Sequence, residues 1–251
     1  MVHKWCKNGA KMYIDAHCHL NLFSEPKKTI IDSAASGVSV LVCSGDSAKD
    51  CAECISLADM KYVFATIGIG PDFACKDAPF VNEIKQIALA NKKRVVGIGE
   101  IGLDVHTADS GICNMHSQES VFTKQIEVAN GLGLPIVVHS RGTIDRVIEI
   151  VHKERPAKAM FHFFEGNEAQ AKELADEGYI ISVPPFLDKR RKKIISLLDI
   201  NNIAVETDSP VAGKSPAEIV KLVDEIAKIK NLDKEAVANG IAQTIRNLFG
   251  I

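Results

Sequence analysis

The sequence predicts an α/β protein built as a (β/α)8 barrel. Three observations carry that expectation. Eight short apolar runs rich in β-branched residues alternate with amphipathic stretches of helix length over 251 residues, about the size of one such barrel. Several of the runs are continuously apolar rather than alternating, as strands buried on both faces of a parallel sheet should be. A doubly wound nucleotide-binding sheet would carry a Gly-rich turn after its first strand; Asp15-Ala-His17-Cys-His19 stands there instead. We therefore expect one barrel domain over residues 1–251.

The elements follow in order. Met12–Ala16 is the first strand run, with a helical stretch near 25–36 behind it. Ser39–Cys43 leads to a helix near 47–59, and Tyr62–Ile69 to one near 79–91. Val95–Gly99 precedes a long amphipathic stretch near 116–132. Pro135–Val138 and Ala159–Phe163 are followed by helices near 142–154 and 167–177. Tyr179–Val183 and Ile203–Val205 are followed by helices near 188–199 and 216–230, and a last helix near 233–248 closes the chain.

Composition narrows the function. The chain is 46% hydrophobic and 25% charged, which excludes global disorder, and its net charge of −2 excludes a strongly basic coat. A nucleic-acid substrate in a local basic cleft remains compatible with that charge. Seven cysteines at irregular spacing argue against a secreted disulfide framework and for a cytoplasmic location. Cys51-Ala-Glu-Cys54 is a lone CxxC without a second ligand pair, so two ordinary helix cysteines are expected. The N-terminus lacks the apolar stretch of a secretory signal, and no run reaches the ~18 residues of a membrane span.

Chemistry-bearing residues gather at strand ends. His17 and His19 stand two apart after the first run, so in extended backbone their imidazoles share a face. That pattern suits a divalent metal and equally suits two exposed loop histidines. Glu100 sits in Gly97-Ile-Gly99-Glu100-Ile-Gly-Leu-Asp104, where the fourth strand is expected to end. A carboxylate there can bridge two cations or cap a helix. His139 ends the fifth strand and His162 the sixth. Glu206 and Asp208 follow the eighth and should share one face by the same alternation. Each feature alone has a structural explanation. Together they set four histidines and two carboxylates at the C-terminal ends of the strands, the face on which barrel enzymes carry their sites. Six such donors are about enough for two ions that clamp a phosphoryl group and acidify a water.

These motifs resemble the TatD family of metal-dependent hydrolases in the amidohydrolase-like superfamily. The resemblance rests on DAHCHL (15–20), GEIGLD (99–104), LPIVVHSRG (134–142), FHFFEG (161–166) and VETDSP (205–210), in the family's order. It implies one or two divalent ions (Zn, Mn or Mg) and hydrolysis of phosphodiester bonds, often of DNA. His17, His19 and Asp208 would then hold one ion, His139 and His162 the other, with Glu100 as the bridge. Asp208 would also act as general base on the attacking water. Asp104 and Glu206 would orient histidine ligands. Arg141, directly placed after His139-Ser140, would meet a phosphate, or else form a surface ion pair. His106 is a candidate cleft residue.

The chain also departs from the family. Its segment after Asp208 is short and lacks the usual Asn-Pro. Thr244 and Gly142 stand where Asn and an acidic residue are common, and strand seven leads into Val183-Pro-Pro185-Phe186 instead of a small-residue turn. These changes bear on substrate shape and leave the ligand set intact. DNA is the expected substrate, with Lys189-Arg190-Arg191-Lys192-Lys193 either following its backbone or forming a solvated helix face. The alternative is an ester or amide, an aminoacyl-tRNA ester included, since an activated water attacks carbonyl carbon as well as phosphorus. No membrane or obligate protein partner is implied, and a monomer is the default.

Overall fold

The computed structural model describes residues 13–251. Cys6, Met12 and the N-terminal stretch read for a secretory signal lie outside the described residues. Eight strands form one sheet in sequence order: β1 (Tyr13–Cys18), β2 (Val38–Gly45), β3 (Val63–Ile67), β4 (Val95–Asp104), β5 (Ile136–Arg141), β6 (Ala159–Phe161), β7 (Ile180–Val183) and β8 (Ile203–Val205). Every neighbouring pair is parallel. The helices between them are α1 (Pro26–Ala35), α2 (Ala48–Leu57), α3 (Val81–Ala90), α4 (Val105–Asp109), α5 (Met115–Leu132), α6 (Ile144–Glu154), α7 (Glu168–Asp176) and α8 (Lys189–Leu197), and α9 (Ile219–Lys230) and α10 (Lys234–Phe249) follow β8. The expected barrel is the observed one.

Burial explains the continuous apolar runs. Ile136, Val137 and Val138 of β5 are all fully buried, one side against the barrel interior and the other under helices. The helices turn one stripe inward; α6 buries Val147, Ile148, Ile150 and Val151 and leaves its charged residues outside. Helix α5 starts at Asn114, whose side chain accepts from the Ser117 N–H, and ends at Gly133 with φ 66°. Among the described residues no helix is long and apolar enough to cross a membrane.

No ladder joins β1 to β8 among the described residues. Side-chain and loop hydrogen bonds close the ring instead. The buried Asp15 carboxylate accepts from the Thr207 N–H at 3.0 Å and the Thr207 hydroxyl at 2.5 Å. Asp208 N–H donates to His17 O at 3.0 Å, and His19 N–H to Ser209 O at 2.8 Å. Removing Asp15 leaves buried donors without an acceptor. Asp15→Ala is therefore expected to lower stability by about 2–4 kcal/mol. Urea denaturation measures it, and a loss below about 1 kcal/mol would show that the latch contributes little.

Several local expectations change. Strand β4 does not end near Glu100; it continues through Asp104 and pairs Gly102 with His139 and Asp104 with Arg141. The glycines permit this: Gly102 has φ 150°, and a Cβ there would run into the His139 carbonyl. The short helix α4 follows at once, unsignalled by any apolar period. Cys75 and Cys113, 38 residues apart, are joined in a disulfide that ties the loop after β3 to the loop before α5. Irregular cysteine spacing gave no hint of that pair, because only the barrel brings those loops together. In α2, Cys51 and Cys54 do not pair: Cys51 Sγ is 3.3 Å from Gly68 O, whereas Cys54 Sγ lies 2.9 Å from Cys43 Sγ.

Candidate metal centre

The sheet delivers His17 from β1, Glu100 from β4 and His139 from β5 directly; His19, His162 and Asp208 stand just beyond β1, β6 and β8. All six converge on one point at the C-terminal mouth. His17 Nε2 and His19 Nε2 are 3.2 Å apart. Asp208 Oδ1 lies 3.4 Å from the first and 3.2 Å from the second. Glu100 Oε2 lies 3.4 and 3.6 Å from the same two nitrogens. Its other oxygen, Oε1, faces His139 Nδ1 at 2.7 Å and His162 Nε2 at 3.2 Å. The His17 and His162 rings stack at a centroid distance of 4.1 Å, so the two halves share one wall.

Outer carboxylates hold two of these rings. Glu206 Oε1 lies 3.1 Å from His162 Nδ1 and accepts the Phe163 N–H at 2.6 Å, while Glu206 Oε2 accepts the Ser182 hydroxyl at 2.6 Å. Asp104 Oδ2 faces His139 Nε2 at 3.2 Å, and its Oδ1 caps α4 through the N–H groups of His106 and Thr107. A buried Gln118 fixes Asp104 in turn, accepting from its N–H and donating to its carbonyl. The side chain of His106 is exposed. Arg141 is exposed and makes no hydrogen bond or ion pair among the described residues.

One placement differs from the alternation argument. Strand β8 stops at Val205, and Asp208 has φ 51°, in the left-handed region that Asp tolerates better than most residues. That turn, rather than period two, aims Asp208 at His17 and His19 while Glu206 serves His162. Asp46, just beyond β2, was missed. Its carboxyl is pushed up to about 7 by burial and by the charge of Glu100. The signal was available in Ser44-Gly45-Asp46, an acid at a strand's C-terminal end.

The electrostatics are those of crowded opposite charges. Burial alone would pull the His19 pKa down, but the Asp208 and Glu100 carboxylates outweigh it and push it up to about 9. Burial likewise opposes a charged His139, and Asp104 with Glu100 raises it to about 9. For Glu100, burial is overcome by His162, His139 and His17, which hold its carboxyl well below the usual range. Asp208 is depressed in the same way by His17 and His19.

The donor set fits divalent ions. Tetrahedral ligands at about 2.0–2.1 Å from a metal stand about 3.3 Å from one another. The His17, His19, Asp208 and Glu100 Oε2 separations of 3.2, 3.4 and 3.6 Å match that edge. Asp208 Oδ1 and His139 Nδ1 form no well-aligned hydrogen bond, although Oδ1 faces the His17 and His19 imidazoles and Nδ1 the Glu100 carboxylate. His17, His19 and Asp208 form one group able to hold a cation, and His17, Glu100 and His162 another.

Residues 14–250 match the family described as TatD related DNase. An uncharacterized metal-dependent hydrolase of Methanocaldococcus jannaschii is 29% identical over 247 residues, spanning 94% of this chain and 96% of that protein. Human deoxyribonuclease TATDN3 is 27% identical over 258 residues, spanning 94% of both. Among solved structures, the TatD homolog YjjV of Escherichia coli superposes with a TM-score of 0.87 at 21% identity, over 95% of this chain and 98% of that one.

Proposed function

This chain belongs to the TatD related DNase family and is a metal-dependent hydrolase, and from that premise we propose that it cleaves phosphodiester bonds of DNA, in single strands or from an end. One observation carries the reading. The two oxygens of Glu100 face different histidine pairs, His17 with His19 and His139 with His162. In this reading His17, His19 and Asp208 would hold one divalent ion, His139 and His162 a second, and Glu100 would serve both. Such ions would supply charge neutralisation at the phosphoryl oxygens and an acidified water. The mixed imidazole and carboxylate set suits Zn²⁺, Mn²⁺ or Fe²⁺ and, less well, Mg²⁺.

The chain's own residues do the rest. Asp208, held ionised by the His17 and His19 imidazoles, accepts the proton of the water that attacks phosphorus. Glu206 and Asp104 hold the His162 and His139 rings in fixed orientations. Arg141, exposed at the end of β5, meets a phosphate oxygen of the strand.

End-labelled single-stranded DNA tests this. Metal-depleted protein should be inert and regain cleavage on addition of Mn²⁺, Zn²⁺ or Mg²⁺. In that assay Arg141→Ala should raise KM about tenfold, the value of one charged hydrogen bond, with little change in kcat. An equal KM effect on a neutral ester would remove Arg141 from phosphate recognition. Hydrolysis of esters or amides with no cleavage of DNA under any metal would overturn the nuclease reading.

A further inference from the structure

Two sequence features have no part in the chemistry above: Val183-Pro-Pro185-Phe186 after β7, and the basic run that opens α8. The fold brings them together beside His162. Phe163 follows His162 directly and has φ 46°, a conformation that is rare for a bulky side chain. Glu206, the carboxylate that holds His162, fixes Phe163 there by accepting its N–H at 2.6 Å. The His162 and Phe163 ring centroids are 6.0 Å apart, and those of Phe163 and Phe186 are 6.2 Å apart. Two phenyl rings thus step outward from a metal-facing histidine, and the outer one is 46% exposed.

Arg191 braces this pair. Its guanidinium carbon lies 5.2 Å from the Phe163 centroid, within cation–π reach. Its Nη1 donates to the Phe186 carbonyl at 3.1 Å and pairs with Asp188 Oδ2 at 3.7 Å, and its side chain is only 12% exposed. Neighbouring Arg190 bonds back to the Glu165 carbonyl, so both arginines fold onto the loops after β6 and β7. Lys189, Lys192 and Lys193 of the same run stay exposed. An exposed ring held rigidly beside a positioned cation offers little to the core. It offers a flat apolar face and a positive charge next to the reacting centre.

We propose that Phe186, Phe163 and Arg191 form a stacking platform for an unpaired base of a single-stranded nucleic acid, an inference that rests on the nuclease reading. Base stacking on an aromatic face is tolerant of sequence; Arg191 holds the rings in place, and the exposed Lys189, Lys192 and Lys193 add charge for the adjoining phosphates. In a duplex the faces of the bases are covered by their neighbours, so the platform selects single strands and frayed ends.

The test is equilibrium binding by fluorescence anisotropy, with the full chain as purified and phosphorothioate-linked strands that resist cleavage. One probe is a labelled single-stranded oligothymidylate. A second has the same backbone with baseless sugars, and a third is a duplex. Wild type should bind the base-bearing strand about tenfold tighter than the baseless one, as alanine substitution of stacking residues indicates elsewhere. Phe186→Ala should lose that factor on the base-bearing strand alone, and Phe186→Trp should keep it. If Phe186→Ala binds both strands as wild type does, or weakens equally on both, the platform is overturned and the nuclease reading stands. If wild type neither binds nor cleaves nucleic acid, both fall.

Discussion

Asp208→Asn should lower kcat for phosphodiester cleavage about a thousandfold at saturating metal, the middle of the range for a lost general base. The substitution keeps size and shape, so the barrel and the turn at φ 51° should persist. What it removes is the charge. Oδ1 of Asp208 stands 3.4 Å from His17 Nε2 and 3.2 Å from His19 Nε2. Although burial favours the protonated acid, His17 and His19 outweigh it and keep the group a carboxylate. A carboxyl depressed in the folded state stabilises the fold above the unfolded pKa, and that stability is lost as pH falls through the folded value. The variant should therefore be less sensitive than wild type to acid below the ordinary Asp pKa of about 4, even as it loses turnover. Single-turnover kinetics with metal content measured in parallel separates a lost base from a lost ligand. A drop under tenfold with full metal content would remove Asp208 as the base.

How much of this was legible in the sequence depends on what each residue's neighbours are. His17, His139 and His162 were readable because each stands in or after an apolar run, where an imidazole has an uncommon reason to be. The (β/α)8 order was readable for the same cause: strands buried on both faces have to be continuously apolar. The extension of β4 through Asp104 was not, because glycine is a poor strand residue on its own. At Gly102 the need is for close approach to the His139 carbonyl, a property of the partner strand and invisible along the chain. The turn at Asp208 and the Cys75–Cys113 bond are of the same kind. Each is set by contacts between loops that only barrel closure brings together. Asp15 was visible as a motif letter, yet its part as the latch between β1 and β8 required Thr207 to be seen opposite it.

Glu100→Gln should leave the barrel folded, reduce bound metal to one ion or fewer per chain, and abolish DNA cleavage. Oε1 and Oε2 of Glu100 serve different histidine pairs, and a neutral amide can offer one oxygen to one side only. The carboxylate has a second effect. With no metal bound, Asp208 and Glu100 push His19 up to about 9, and Asp104 and Glu100 do the same for His139, so both imidazoles are protonated at neutral pH. A ligand imidazole has to be neutral, so each ion that binds expels protons, and metal affinity should climb as pH rises towards 9. The sign for stability runs the other way. Histidines raised in the folded state stabilise the metal-free protein below their unfolded pKa, and that contribution disappears as pH rises through about 9. Titration calorimetry in buffers of different ionisation enthalpy counts the protons released. Wild type should release about three at pH 7, one each from His19, His139 and His162, and the variant fewer, because the anion that raises all three is gone. Mass spectrometry gives the metal content, and circular dichroism checks the fold. A Glu100→Gln chain that keeps wild-type occupancy and wild-type proton release would sink the bridging assignment, whatever its activity.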